Sequence, residues 1–132
     1  MKKLYVALLI FGTFTSAFAQ SGPLAISGET HLKNIKQLTF GGENAEAYFS
    51  PDGKQLIFQS KRDGHECDRI YTMNIDGSSV RQVSNGEGRT TCGFFYDGDR
   101  RILYSSTSQH DKACPAPLDK SQGYVWPIGY LE

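Results

Sequence analysis

The sequence predicts an all-β chain built from repeated four-stranded antiparallel units of the β-propeller kind. Three observations carry that prediction. The first is the stretch Phe49-Ser50-Pro51-Asp52-Gly53-Lys54-Gln55-Leu56-Ile57-Phe58-Gln59-Ser60, which reads as strand, tight turn, strand. Asp-Gly is a strong short hairpin signal, because glycine tolerates the positive φ that a two-residue turn demands. Pro51 has no N–H for a ladder and so marks a strand end. The second observation is that the hairpin recurs at Phe95-Tyr96-Asp97-Gly98-Asp99-Arg100-Arg101-Ile102-Leu103-Tyr104-Ser105-Ser106. The third is that the repeat is wider than the hairpin. Ile35-Lys36-Gln37-Leu38-Thr39 matches Val80-Arg81-Gln82-Val83-Ser84 at an offset of 45, and Leu56-Ile57-Phe58 matches Ile102-Leu103-Tyr104 at an offset of 46. A period of about 40–45 residues with four strands per unit is a propeller signature. Such units bury their faces only against neighbours.

In chain order, residues 1–19 read as a secretory leader. Lys2 and Lys3 form a positive start, residues 4–14 an apolar core, and Ala17-Phe18-Ala19 a small-x-small cleavage site between Ala19 and Gln20. The apolar core is too short for a membrane span of about 20 residues. No later run is long enough either, so no membrane span is expected. Gln20 in place of cysteine implies no lipid anchor. Residues 20–34, rich in Gly, Ser and Pro near their start, read as a linker. The formal charge is zero over the full chain, and losing Lys2 and Lys3 leaves a slight acidic excess. No basic stripe stands out, which argues against nucleic acid and anionic membrane.

The propeller portion is expected over residues 35–132. Residues 35–40 read as a strand that closes the ring with strands from the other end of the chain. Residues 45–84 form a first complete blade, with strands over 45–49, 55–60, 69–74 and 80–84 and a second tight turn at Asp76-Gly77. Residues 91–132 begin a second blade, with strands over 91–96 and 101–106 and then a long proline-bearing loop. Its turn carries Tyr96-Asp97-Gly98-Asp99 where the first carries Ser50-Pro51-Asp52-Gly53, so an extra hairpin residue is expected. Propellers need about 4–8 blades to close. About one and a half blades plus a closing strand are present, so the remaining blades are expected from a longer parent chain. Apolar residues such as Phe49, Ile57, Phe58, Phe94 and Leu103 would face those neighbours.

The ordered set Ser50-Pro51-Asp52-Gly53-Lys54, Leu56-Ile57-Phe58, Ile70-Tyr71-Thr72-Met73-Asn74-Ile75-Asp76-Gly77 and Arg81-Gln82-Val83-Ser84 closely resembles one full blade of the TolB-like β-propellers. The resemblance covers roughly residues 35–106. It implies an exported, periplasmic or secreted module that binds or scaffolds proteins of the cell envelope, with a protein partner. The helical domain that precedes the propeller in TolB proteins has no counterpart between Gln20 and Asn34. Similar repeats also flank peptidase domains. The alternative is therefore the propeller portion of a secreted peptidase, either a prolyl-oligopeptidase-like serine peptidase or a zinc aminopeptidase, with its catalytic residues beyond Glu132.

No nucleophile elbow, zinc-protease motif or phosphate-binding loop occurs in the chain, so no catalytic residue, metal or cofactor is expected. Asp52, Gly53, Asp76, Gly77, Asp97 and Gly98 read as structural turn residues. Cys67, Cys92 and Cys114 are the disulfide candidates, since export favours oxidation and an odd count leaves one thiol over. Blade topology places all three on one face. His65, Glu66 and Asp68 would lie beside Cys67, Arg89 beside Cys92, and His110 and Asp111 beside Cys114, making a possible ligand face. Cys92–Cys114 is the expected pair, because both belong to the second blade, and Cys67 is the rival partner for Cys92. A Cys/His metal site is the competing reading, but His65-x-Cys67 and His110-x-x-x-Cys114 match no standard zinc spacing. If the leader is cleaved as read, intact-mass analysis of exported protein gives a chain beginning at Gln20. Retention of residues 1–19 in that fraction would refute it.

Overall fold

A computed structural model describes Leu24 and residues 27–123. The expected leader with its expected cleavage site, and the last residues from 124 on, lie outside the described residues. The chain divides into two units, residues 1–35 and 36–132. In the first, the described residues form no strand or helix, and the Glu29 carboxylate accepts the backbone N–H groups of His31 and Leu32. Those bonds hold the Glu29 carboxyl below its ordinary range.

The second unit is all-β among its described residues. It holds β1 (Glu43–Phe49), β2 (Gln55–Lys61), β3 (Arg69–Asn74), β4 (Arg81–Gln82), β5 (Thr90–Tyr96) and β6 (Arg101–Ser106). The first four make an antiparallel meander in the order β1-β2-β3-β4, and β5 and β6 make a separate antiparallel pair. β3 and β6 have the bounds expected from the sequence. No helix among the described residues is long and apolar enough to cross a membrane.

The two hairpins are copies at a constant spacing. Tyr48 faces Ile57 and Phe49 faces Leu56, while Phe94 faces Leu103 and Phe95 faces Ile102, each position displaced by 46 residues. Each first strand also carries a β-bulge in the same place, between Ala45 and Tyr48 and between Thr91 and Phe94. A bulge gives one strand an extra unpaired residue and bends it. The bulges contain Glu46 (φ 51°) and Cys92 (φ 53°), again 46 residues apart. The loops between paired positions are therefore equal in length, and the extra residue expected in the second hairpin is not there. The Asp-Gly dipeptide is instead shifted by one place. Left-handed φ falls on Asp97, Gly98 and Asp99 in the second loop but only on Gly53 in the first.

The first loop is also longer than a two-residue turn. Gly53 N–H donates to the Ser50 carbonyl at 2.9 Å, and Ser50 N–H donates to the Gln55 carbonyl at 2.9 Å. Asp52 Oδ1 accepts the Ser50 hydroxyl at 2.7 Å and the Lys54 N–H at 3.0 Å, and the Ser50 hydroxyl oxygen accepts the Gln55 N–H at 2.9 Å. The Lys54 and Ser50 bonds hold the Asp52 carboxyl below its ordinary range. Asp52 thus serves as an Asx-type turn residue, satisfying its neighbours' donors. The Asp76-Gly77 turn closes in a related way. Gly77 N–H donates to the Asn74 carbonyl at 2.9 Å, and Asp76 Oδ1 accepts the Ser78 N–H at 2.8 Å.

Two expected strands come out differently. Residues 80–84 pair as a ladder only over β4. Beyond it the N–H groups of Val83 and Ser84 both turn onto the Ile70 carbonyl, and Ser84 Oγ accepts the Ile70 N–H at 3.1 Å. A side-chain hydroxyl has replaced the backbone partner there, as serine readily does. The other is residues 35–40, whose described conformation contains no strand. Leu38 instead packs against the buried cluster of Leu56, Phe58, Tyr71 and Met73. Arg62 lies over the Phe58 and Tyr71 rings on that side, 5.6 and 5.5 Å from their centroids.

The opposite face of the meander carries Ile57 and Ile70, both fully buried, with Phe95 from β5 and with Val83, Ile102 and Tyr104 at the margin. β2 and β3 are thus covered on both sides, which explains their near-continuous apolar runs. The expected set of neighbour-seeking residues divides. Ile57 and Phe58 are buried, while Phe49 (67% exposed), Phe94 (55%) and Leu103 (66%) remain open.

β5 comes down onto β2 and β3 at Gly93. A Cβ there would stand 2.7 Å from Ile70 Cγ2 and 3.2 Å from Ile57 Cδ1. Its counterpart in the first hairpin is Ala47, on the exposed β1. Gly93→Ala therefore overpacks a buried contact, with an expected loss of about 1–3 kcal/mol. Gly53→Val acts differently. Nothing lies within 4 Å of a Cβ at Gly53, so its cost comes from the positive φ, on the order of 1–3 kcal/mol. Denaturant unfolding checks both. A glycine-to-alanine change at 93 that leaves the midpoint in place would refute the close approach, and an unchanged midpoint for Gly53→Val would refute the turn geometry.

Candidate functional site

The residues between β2 and β3, the start of β5 and the segment after β6 meet around one cleft of about 1030 Å³. Backbone bonds set this meeting. Thr90 N–H donates to the Asp68 carbonyl at 3.0 Å, Thr107 N–H to the Arg89 carbonyl at 3.0 Å, and Gly88 N–H to the Lys112 carbonyl at 2.7 Å. Gln59 adds a side-chain tie from β2. Its Oε1 accepts the Thr91 hydroxyl at 2.6 Å and the Cys92 N–H at 3.0 Å.

Most of the sequence-predicted ligand face gathers here. His65, Glu66, Cys67, Asp68, Arg89, Cys92 and Cys114 all line the cleft. His65 Nε2 lies 2.9 Å from Gln82 Oε1. Arg89 N–H donates to Thr107 Oγ1 at 2.9 Å. His110 and Asp111 lie apart, on a smaller pocket of about 220 Å³ with Thr107, Pro115 and Ala116. Asp111 Oδ1 accepts the Ala113 N–H at 2.9 Å, which fits it as a turn residue of that segment.

Several lining residues had no signal in the sequence. Glu43, Glu46 and Lys61 come from strand positions, and Lys120 from the late loop. Lys61 and Glu43 approach to 3.9 Å. The Tyr48 hydroxyl donates to Glu46, and that bond to a carboxylate raises the phenol above its ordinary value. The lining carboxylates Glu43, Glu46, Glu66 and Asp68 thus share the cleft with the cations Lys61, Arg89 and Lys120. Arg69 was also missed. It reads from sequence as an ordinary strand start, yet it is only 4% exposed.

The disulfide joins Cys67 to Cys114, with Cα atoms 5.7 Å apart, and Cys92 is free and exposed. The expected Cys92–Cys114 pair is therefore corrected, while the shared face of the three cysteines is kept. The physical reason is the direction of two segments. Cys92 occupies the bulge of β5, whose side chains alternate so that Cys92 and Phe94 are exposed while Gly93 and Phe95 are buried. The segment after β6 does not run beside β5. It turns at Thr107, whose carbonyl accepts the N–H groups of His110 and Asp111, and its Lys112 carbonyl bonds Gly88. That path carries Cys114 to the β2–β3 loop. The bridge also removes Cys67 and Cys114 as thiolate ligands. Among the described residues no three His, Cys, Asp or Glu side chains form a group that could hold a metal.

A disulfide of this kind suits an oxidising compartment. Closing a loop across a separation of 47 residues constrains the unfolded chain by about 4 kcal/mol in the chain-entropy account. The Cys67→Ala, Cys114→Ala double variant should accordingly lose about 2–5 kcal/mol, read by urea unfolding. Cys92→Ala should leave the midpoint unchanged. The opposite ranking would point back to Cys92 as a bridging residue.

Compared with known proteins, the chain matches no family model, and no solved structure matches it.

Proposed function

We propose that this chain is an exported β-propeller module, similar to the TolB-like proteins, that binds a protein partner in the cell envelope through the cleft. The observation that carries the reading is the repeat of the β1–β2 hairpin as β5–β6. Register and bulge recur at a constant 46-residue spacing, and the second copy stacks on the face of the meander built on the first. Face-to-face stacking of such units is how repeat architectures bury a continuous core. In this reading the meander is a first blade, β5–β6 is the start of the next, and exposed Phe94 and Leu103 face a further blade. The leader-like start and the Cys67–Cys114 bridge support an exported, periplasmic or secreted location.

The cleft supports a polypeptide partner over a small molecule. Its volume is at the top of the range of about 300–1,000 Å³ for small-molecule sites. Charges of both signs in the lining suit complementary pairing with a partner's side chains, which gives orientation and specificity.

A photo-crosslinking residue in place of exposed Glu66 tests the reading in cells that export the protein. A discrete protein adduct is expected at Glu66, absent from the same probe at Ile75 in the β3–β4 turn. Lys61→Glu with Arg89→Glu should abolish it by reversing two of the three lysine and arginine charges in the lining. Equal adducts at both positions, or peptide hydrolysis that depends on a cleft side chain, would overturn it.

A further inference from the structure

The Cys67–Cys114 bridge is packed against a buried cation that forms no ion pair among the described residues. Arg69 is 4% exposed. Its Nη1 donates to the Asp68 carbonyl at 3.2 Å and to the Gly88 carbonyl, and lies 3.2 Å from Cys67 Sγ. Its Nη2 lies 3.7 Å from Cys114 Sγ. Its Nε has no partner among the described residues. None of the ion pairs among the described residues includes Arg69. A buried charge is ordinarily paired with an opposite one, because desolvation without pairing is costly. Here two of the guanidinium's partners are the sulfurs, which are able to become anionic and are neutral only while joined.

We propose that Cys67–Cys114 is an exchange-active disulfide, opened by a small thiol that enters the cleft, with Arg69 holding the departing sulfur. Both cysteines line the cleft, but Cys114 is half-buried while Cys67 is 2% exposed. The thiolate of the incoming molecule therefore attacks Cys114 Sγ. A mixed disulfide forms on Cys114, the Cys67–Cys114 bond breaks, and its electron pair leaves on Cys67 as a thiolate beside the Arg69 guanidinium. A second thiolate then attacks the sulfur of the first, releasing the oxidised small-molecule disulfide and the Cys114 thiolate. The two thiols supply the two electrons that reduce the bridge. A neighbouring guanidinium stabilises a thiolate, and a stabilised reduced form makes a disulfide easier to open. Opening it removes the covalent tie between the β2–β3 loop and the segment after β6, both of which line the cleft.

The test uses the full chain with Cys92→Ser, which removes the exposed free thiol. The protein is equilibrated in buffers of graded reduced and oxidised glutathione, trapped by alkylation and mapped by mass. The glutathione adduct is expected on Cys114. Arg69→Gln should require about tenfold more reducing buffer for half-opening, as befits the loss of a hydrogen bond to a charged group. An adduct on Cys67, or a midpoint that Arg69→Gln leaves in place, would overturn the proposal. If Arg69→Gln does not fold, the adduct position on the Arg69-bearing protein decides alone. No adduct at any ratio would refute the exchange outright.

Discussion

The second unit depends on the close seating of β5 over Ile57 and Ile70. That seating requires Gly93, since a side chain would strike Ile70 Cγ2, which branches from the β-carbon and cannot swing aside. Once β5 is down, Phe95 joins the buried pair, and Ile102 and Tyr104 of β6 close the margin. β2 and β3 then have no open face. Their apolar residues on one side meet β5 and β6, and those on the other meet Leu38 and the Arg62 guanidinium. Burial of each fully enclosed aliphatic side chain contributes about 1.5–3 kcal/mol, so this enclosure outweighs any single polar contact in the unit.

The same seating builds the cleft. With β5 held against β3, Thr90 reaches the Asp68 carbonyl and Gln59 reaches the start of β5. These ties bring the β2–β3 loop beside the segment after β6, which is what lets Cys67 meet Cys114. The bridge then fixes a geometry that packing had already produced. Arg69 sits behind it, a buried cation whose hydrogen-bond partners are carbonyls and sulfurs, all neutral while the bridge is closed.

The repeat gives the cleft its asymmetry. The Cys67 and Cys114 loops follow equivalent strands, β2 and β6, of the two hairpins. Glu46 and Cys92 are equivalent bulge residues, one carboxylate and one thiol, on the same cleft. Identical backbone steps thus present different chemistry, because a bulge specifies a conformation and leaves the side chain free to vary.

Local sequence determined most of the strands. β3 and β6 are apolar runs bounded by turn residues, and the left-handed positions at Gly53 and Gly77 follow from Asp-Gly steps, since these signals act within a few residues. The gathering of His65, Glu66, Cys67, Asp68, Arg89 and Cys92 on one cleft was legible too, because strand order alone puts their loops at one end. Tertiary structure decided the rest. The disulfide partner depended on where the segment after β6 turns, and that turn is anchored by Thr107 and by the Gly88–Lys112 bond. The fourth strand's early end depended on Ser84 capturing the Ile70 N–H. Residues 36–40 form no strand, and Leu38 takes a place in a buried cluster. The burial of Arg69 likewise depended on Gly88 and Cys114, 19 and 45 residues away in the chain. Each of these outcomes is set by contacts between distant residues, and the residues on either side of each position do not encode them.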